Sequence, residues 1–315
     1  MKLDGDEIAV LQLVAARGVG EKTLARLLML AHGTGESLAD VVALKPTELA
    51  MRFGLGLSSA EALRDVREAA ARTAESLERN GISMLIRYSR GYPRHLEQAL
   101  GDTSPPVLFV GGDTSILDEP AVGIGGSRKA SAASLTLAGD AAGILARNGI
   151  NVVSGNANGV DLTAHVGALV AGGTTTFVLP EGILGFRPRG HLAEVFEDGR
   201  SLVVSEFPPS LTWIARNAMR RNRTICGLSK ALVVIEARAT GGTFAAGQTA
   251  LEMRRPVFVA EHAGLGDTAA GSRMLIARGA TALQLDSSGQ LQLSEVIEHA
   301  HIVEPVDPES QLRLI

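Results

Sequence analysis

The chain of 315 residues carries a formal net charge of −4, with 45% hydrophobic and 20% charged residues. That mildly acidic balance excludes a protein wrapped in nucleic acid by bulk charge, and no run approaches the roughly 18 apolar residues of a membrane span. Cys226, the only cysteine, excludes an internal disulfide and a cysteine metal cage, and "MKLDGDEIAV" at the start lacks an apolar signal core, so a cytoplasmic setting is expected.

Residues 1–81 read as a helical N-terminal domain. Leu11 and Val14, then Leu24, Leu27 and Leu28, recur at helical spacing on either side of "RGVGEK" (17–22). Helix, Gly18-Val19-Gly20, helix is the pattern of a helix-hairpin-helix (SAM-like) unit, whose second helix can hold a phosphate at its N-terminus; a tight turn between packed helices explains it equally well. The stretch 53–81 predicts one long amphipathic helix, capped by Ser58 or Ser59 and ending at Gly81.

From residue 82 the texture changes. "ISMLIRY" (82–88) reads as a strand, and further strands are expected at 121–125, 151–154, 174–179, 201–205, 231–236, 256–260 and 281–284, with helical patterns between them. The fold class is therefore α/β, a βαβ succession building a mainly parallel sheet with helices on both faces over residues 82–300, followed by a tail at 301–315.

In such a sheet ligands bind beyond the carboxyl ends of the strands. Four loops should emerge there: "GSRKAS" (126–131), "SGNANGVD" (154–161), "SEFPPS" (205–210) and "ARATGGTF" (237–244). Gly126, Ser127, Ser154, Gly155, Asn156, Gly241, Gly242 and Thr243 would let backbone N–H groups approach a phosphate, and Arg128 and Lys129 add cations. Between Glu206 and Glu236 there is no acidic residue, while Arg216, Arg220, Arg221, Asn222, Arg223 and Lys230 fall inside that gap. The set points to a polyanion or a nucleotide; ordinary tight turns and a solvated helix face are the competing explanation. His165 reads as a packed histidine, Asp161 as a carboxylate favoured by its helix dipole, and Cys226 as buried and inert. A dinucleotide fingerprint fails because Arg128 replaces its third glycine, a P-loop fails for want of Gly-Lys-Ser/Thr, and the histidines show no metal spacing. Aromatic residues, at 3%, argue against extensive base stacking.

These motifs resemble the bacterial DNA-processing family DprA (Smf). Gly126-Ser127-Arg128 matches its G-S-R, residues 154–165 its S-G-x-A-x-G-x-D-x-x-A-H, Ser205 to Pro209 its S-E-x-P-P, and Arg220 to Ser229 its R-R-N-R-x-I-x-G-L-S. The resemblance implies an extended Rossmann core that binds single-stranded DNA, homodimerisation, and delivery of incoming strands to the RecA recombinase in natural transformation, with no cofactor and no catalysis. Departures stand at Asn156, where an apolar residue is usual, and at Asn158, where an arginine is usual, at Ala218 and Met219 in place of Phe-Pro, and in the missing Tyr after G-S-R; the tail has no room for the family's frequent winged helix. The alternative is a nucleotide-binding sensor or a phosphoribohydrolase-like enzyme, although "ATGGTFAAGQ" (239–248) supplies no carboxylate where that chemistry needs one.

Overall fold

Asp4 opens the first helix with a capping box. Its carboxylate accepts from the Glu7 backbone N–H at 2.9 Å, and the Glu7 carboxylate accepts from the Asp4 N–H at 2.8 Å. The computed structural model describes residues 2–261 and 269–302. Six helices come first: α1 (Gly5–Ala15), α2 (Glu21–Thr34), α3 (Leu38–Ala43), α4 (Pro46–Phe53), α5 (Leu57–Asp65) and α6 (Arg67–Arg79).

The single helix expected over 53–81 is not formed. Gly54, left-handed at φ 61°, closes α4, Gly56 caps α5, and the chain turns again at Val66. Ser58 and Ser59 lie inside α5 rather than capping it. The break has a packing reason: Ala60 and Leu63 bury in α5 against α4, whereas Ala70, Ala74 and Leu77 bury in α6 against α1. One straight helix would present both sets to a single neighbour.

The rest of the chain builds one sheet. In order come β1 (Ile82–Ile86), α7 (Arg94–Leu100), β2 (Val107–Gly112), β3 (Ala121–Gly125), α8 (Ala132–Arg147), β4 (Asn151–Ser154), α9 (Val160–Val170), β5 (Thr175–Leu179), α10 (His191–Val195), β6 (Ser201–Ser205), α11 (Ala215–Leu228), β7 (Ala231–Val234), α12 (Gly242–Glu252), β8 (Val257–Ala260), α13 (Ala270–Ile276), β9 (Thr281–Leu283) and α14 (Ser294–His301). The sheet order is β1-β2-β6-β5-β4-β3-β7-β8-β9. All neighbours from β6 to β9 are parallel, and β1 and β2 add an antiparallel edge. The α/β class and its helical preface are as expected. The tail beyond residue 302 lies outside the described residues.

The central strands are buried along their whole length, as expected for a parallel sheet covered on both faces. On one face α8, α9 and α14 enclose a core with Val122, Ile124, Val152 and Val233. On the other, α7 and α11 pack around Leu108, Val153 and Val204, while α12 and α13 pack around Leu232, Val234 and Val259. The apolar core of α1–α6 is continuous with the β1, β2, β5 and β6 end of the sheet through Phe109, Phe177 and Val203. From β3 the chain steps outward through β4, β5 and β6, then returns so that β7 pairs with the opposite side of β3 and the later strands step the other way. The loops after β3 and β7 therefore part at a topological switch point, where open α/β sheets leave a crevice.

Candidate functional site

A cleft of about 420 Å³ opens at that switch point. Its rim is formed by Gly126, Ser127 and Arg128 after β3, Gly155 and Ala157 after β4, and Thr240 to Thr243 before and into α12. Its floor is supplied by α11 through Ala218, Met219, Arg221, Asn222 and Ile225.

The loops are held with their carbonyls turned away from solvent. Thr243 Oγ1 donates to the Gly126 carbonyl at 2.8 Å, Asn222 Nδ2 to the Gly242 carbonyl at 3.1 Å, and the Val160 N–H to the Ser127 carbonyl at 3.4 Å. The Gly155 carbonyl meets His165 Nε2 at 2.6 Å. Among the described residues, the N–H groups of Gly126, Ser127, Arg128, Gly155, Gly242 and Thr243 find no protein acceptor. Peptide units so oriented, joined by the first turn of α12, form a concavity of partial positive charge suited to an anion.

Two glycines are required by geometry. A Cβ on Gly155 would lie 2.0 Å from Arg221 Nη1 and 2.4 Å from Asp161 Oδ2. Gly159 has φ 85° and a Cβ there would meet the Ser127 carbonyl at 2.5 Å, so this turn is closed to other residues on two counts.

Beneath Gly155 sits a buried charge cluster. Arg221 is 6% exposed and Nη1 donates to the Val178 carbonyl at 2.9 Å. Burial lowers its pKa, against which the charges of Asp161, Glu181 and Glu206 act. Asp161 accepts from the Ala157 N–H at 3.4 Å; burial pushes its carboxyl up, and the Arg221 charge partly offsets this. The functions expected for Arg221 and Asp161 thus need restating. Arg221 is a fixed internal cation at the base of the cleft, and Asp161 answers that cation as well as its helix dipole.

Other expected site residues separate. Lys129 and Asn156 line a second cleft of about 480 Å³ beside the first. Ser154 lines neither: it is fully buried, its hydroxyl donating to the Ile124 carbonyl at 2.6 Å. Arg223 also lines neither, because one helical step past the floor it points outward and its Nη2 donates to Thr103 Oγ1. The "SEFPPS" loop does not reach the cleft either. Ser205 Oγ donates to the Glu181 carbonyl at 2.6 Å, and the Leu184 N–H donates to the Pro209 carbonyl at 3.0 Å, so this loop braces the one after β5.

The acid-free arginine segment is split by the helix it forms. Arg216 and Arg223 are exposed, Arg221 is buried, and Arg220 is paired with Glu206 at 2.9 Å and with Glu21 at 2.5 Å. Glu21 is the first residue of α2, so the glycine hairpin docks its helix N-terminus on the core through a carboxylate. His165 is packed as expected. It is fully buried, stacked on Phe177 at 3.7 Å, with Nδ1 2.6 Å from Thr175 Oγ1, and burial lowers its pKa to about 3. Cys226 is buried with its thiol pushed up to about 12 by burial.

Sequence reasoning passed over Trp213. It stands 49% exposed over both clefts, with the Arg128 guanidinium 5.7 Å from its ring centroid. The low aromatic content concealed it, since a count says nothing about where the only tryptophan stands. Among the described residues no group of side chains could hold a metal ion, and no helix is long and apolar enough to cross a membrane.

A doubly wound sheet with a backbone-lined cleft at its switch point defines a class of open α/β proteins. Within that class, residues 83–293 match the family model described as DNA recombination-mediator protein A, well over half of the chain, and the chain belongs to that family. Over 157 residues it is 38% identical to Protein Smf of Escherichia coli (strain K12), a match covering 49% of this chain and 42% of that one, so the chain spans less than half of this relative's length. The fold is similar to that of DNA processing protein A from Streptococcus pneumoniae, with TM-score 0.72 and 25% identity over 90% of this chain and 95% of that one. DNA processing protein A from Helicobacter pylori, whose structure is described as giving insights into a unique single-stranded DNA binding mode, superposes with TM-score 0.55 and 28% identity over 64% of this chain and 90% of that one.

Proposed function

We propose that this protein is a non-enzymatic binder of single-stranded DNA, which protects incoming strands and passes them to the RecA recombinase in natural transformation, acting in the cytoplasm as a homodimer without a cofactor. The observation that carries the reading is the cleft at the β3–β7 switch point, with its hydrogen-bonded carbonyls, its N–H groups without a protein acceptor among the described residues, and the exposed Arg128. Such contacts address phosphates and carry no base sequence. The single-strand assignment is supported by the Helicobacter pylori relative, and the hand-over to a recombinase by the family's description as a recombination mediator. Catalysis is disfavoured by the carboxylates present. The first cleft has Asp161, already engaged with the Ala157 N–H and set beneath Gly155 beside Arg221.

The test is fluorescence anisotropy of a short labelled single strand across a salt series, with duplex and mononucleotide competitors. Salt-sensitive binding that prefers the single strand is expected. Displacement by mononucleotide alone, or no binding at low salt, would replace this reading with that of a nucleotide sensor.

A further inference from the structure

The two clefts share a wall. Arg128, Ala157, Trp213 and Arg221 line both. The first cleft has an apolar floor from Ala218, Met219 and Ile225, whereas the second is polar, with Lys129, Asn156, Glu181 and Arg189 around it. Each lies within the range of about 300–1,000 Å³ typical of sites for small ligands. The shared wall holds an exposed cation, an exposed indole and, at its base, a buried guanidinium whose Nε has no partner among the described residues.

We propose that the two clefts receive consecutive nucleotides of one single strand, with the linking phosphate at Arg128 and Trp213 inserted between the two bases. This rests on the single-stranded DNA reading and names the step within it. Three observations favour a dinucleotide step over one isolated nucleotide. The exposed Arg128 stands where the clefts meet, which is where a linking phosphate must cross. Trp213 borders both spaces; the Arg128 guanidinium lies over one face of its indole, 5.7 Å from the centroid, and a linking phosphate that draws Arg128 aside would free that face for a base, as the other already is. The unpaired Arg221 Nε adds a buried donor beneath the same crossing. Stacking on an aromatic ring tolerates any base, so the device suits a protein that must accept any sequence.

Trp213 is the only tryptophan in the chain, so intrinsic emission reports on this position alone. The experiment titrates the full chain with thymidine monophosphate, a thymidine dinucleotide and a longer oligothymidylate, while anisotropy of a labelled oligothymidylate records binding independently. Quenching is expected with the dinucleotide and the oligomer, at far lower concentrations than with the mononucleotide. Trp213→Ala should weaken oligomer binding roughly five- to a hundredfold, and Trp213→Phe should restore most of the loss. Oligomer binding by anisotropy with unchanged tryptophan emission, or with affinity unaffected in Trp213→Ala, would overturn the proposal and leave the parent reading standing. No oligomer binding in anisotropy at low salt would overturn both.

Discussion

Arg220 of the core holds Glu21 of the helical segment at an N–O distance of 2.5 Å, and the same guanidinium nitrogen lies 2.9 Å from Glu206. The two carboxylates are not equivalent. Glu21 is about one-third exposed, whereas the Glu206 side chain is 3% exposed, with Thr224 Oγ1 as its other donor. Removing one member of an exposed pair costs little, while stranding a buried carboxylate costs much. Glu21→Gln should therefore lower unfolding stability by less than about 1 kcal/mol, and Arg220→Ala by about 3–5 kcal/mol. Urea melts of the two variants check this; equal losses would show that Glu206 finds another partner when Arg220 is gone.

The glycines of the cleft should divide by what surrounds them. Gly155→Ala drives a methyl group into Arg221 and Asp161, which are themselves locked by burial, so it should destabilise the fold by at least about 2 kcal/mol, in the range of overpacking a tight site. Gly242 has open space where its Cβ would stand and lies at the first position of α12. Gly242→Ala should fold with wild-type stability or slightly better, because alanine favours the helix, yet bind oligonucleotide more weakly through the methyl group at the rim. Thermal melts paired with binding isotherms separate the two effects.

The parallel strands were legible because strands buried on both faces read as short apolar runs bounded by turn residues, and Val152–Val153 or Ala231–Val234 leave little choice; the antiparallel β2 (Val107–Gly112) was not, because the prolines before it and the glycines that end it read as loop. The anion edge was legible because its loops are built from glycine and small polar residues that the turn geometry demands. What escaped was orientation. Arg221 and Arg223 are two residues apart on α11, so a helix sends one inward beneath Gly155 and the other outward to Thr103. A run of arginines shows the charge and not the rotation. The break at Val66 escaped for a related reason: neither glycine nor proline marks it, and the cause is the separate packing of α5 and α6.

That rotation sets the next expectation. Arg128 lines both clefts and Arg223 lines neither. Arg128→Ala should weaken oligonucleotide binding for all sequences alike and reduce the slope of log affinity against log salt by about 0.7, the value of one single-strand phosphate contact. Arg223→Ala should leave both quantities unchanged. Anisotropy at several salt concentrations measures them together, and a loss in Arg223→Ala would place part of the strand on the outer face of α11.

His165 gives the fold a dependence on acid. The Gly155 carbonyl can only accept, so the single ring proton of the neutral imidazole belongs on Nε2, while the one hydroxyl proton of Thr175 is shared between Nδ1 at 2.6 Å and the Val152 carbonyl at 2.7 Å. Burial holds the folded pKa at about 3, well below the ordinary value of 6.5. A base whose folded pKa is depressed favours the fold while neutral. That contribution is complete above the unfolded pKa and is lost as pH falls from there toward the folded value, by about 1.4 kcal/mol per pH unit. The buried Asp161, whose carboxyl is pushed up, acts in the opposite sense, so the histidine must be isolated by difference. His165→Gln should be less stable than wild type at pH 7, having lost the stack on Phe177, and the gap should narrow steadily between pH 6.5 and pH 5. Urea midpoints of both proteins across that interval provide the comparison.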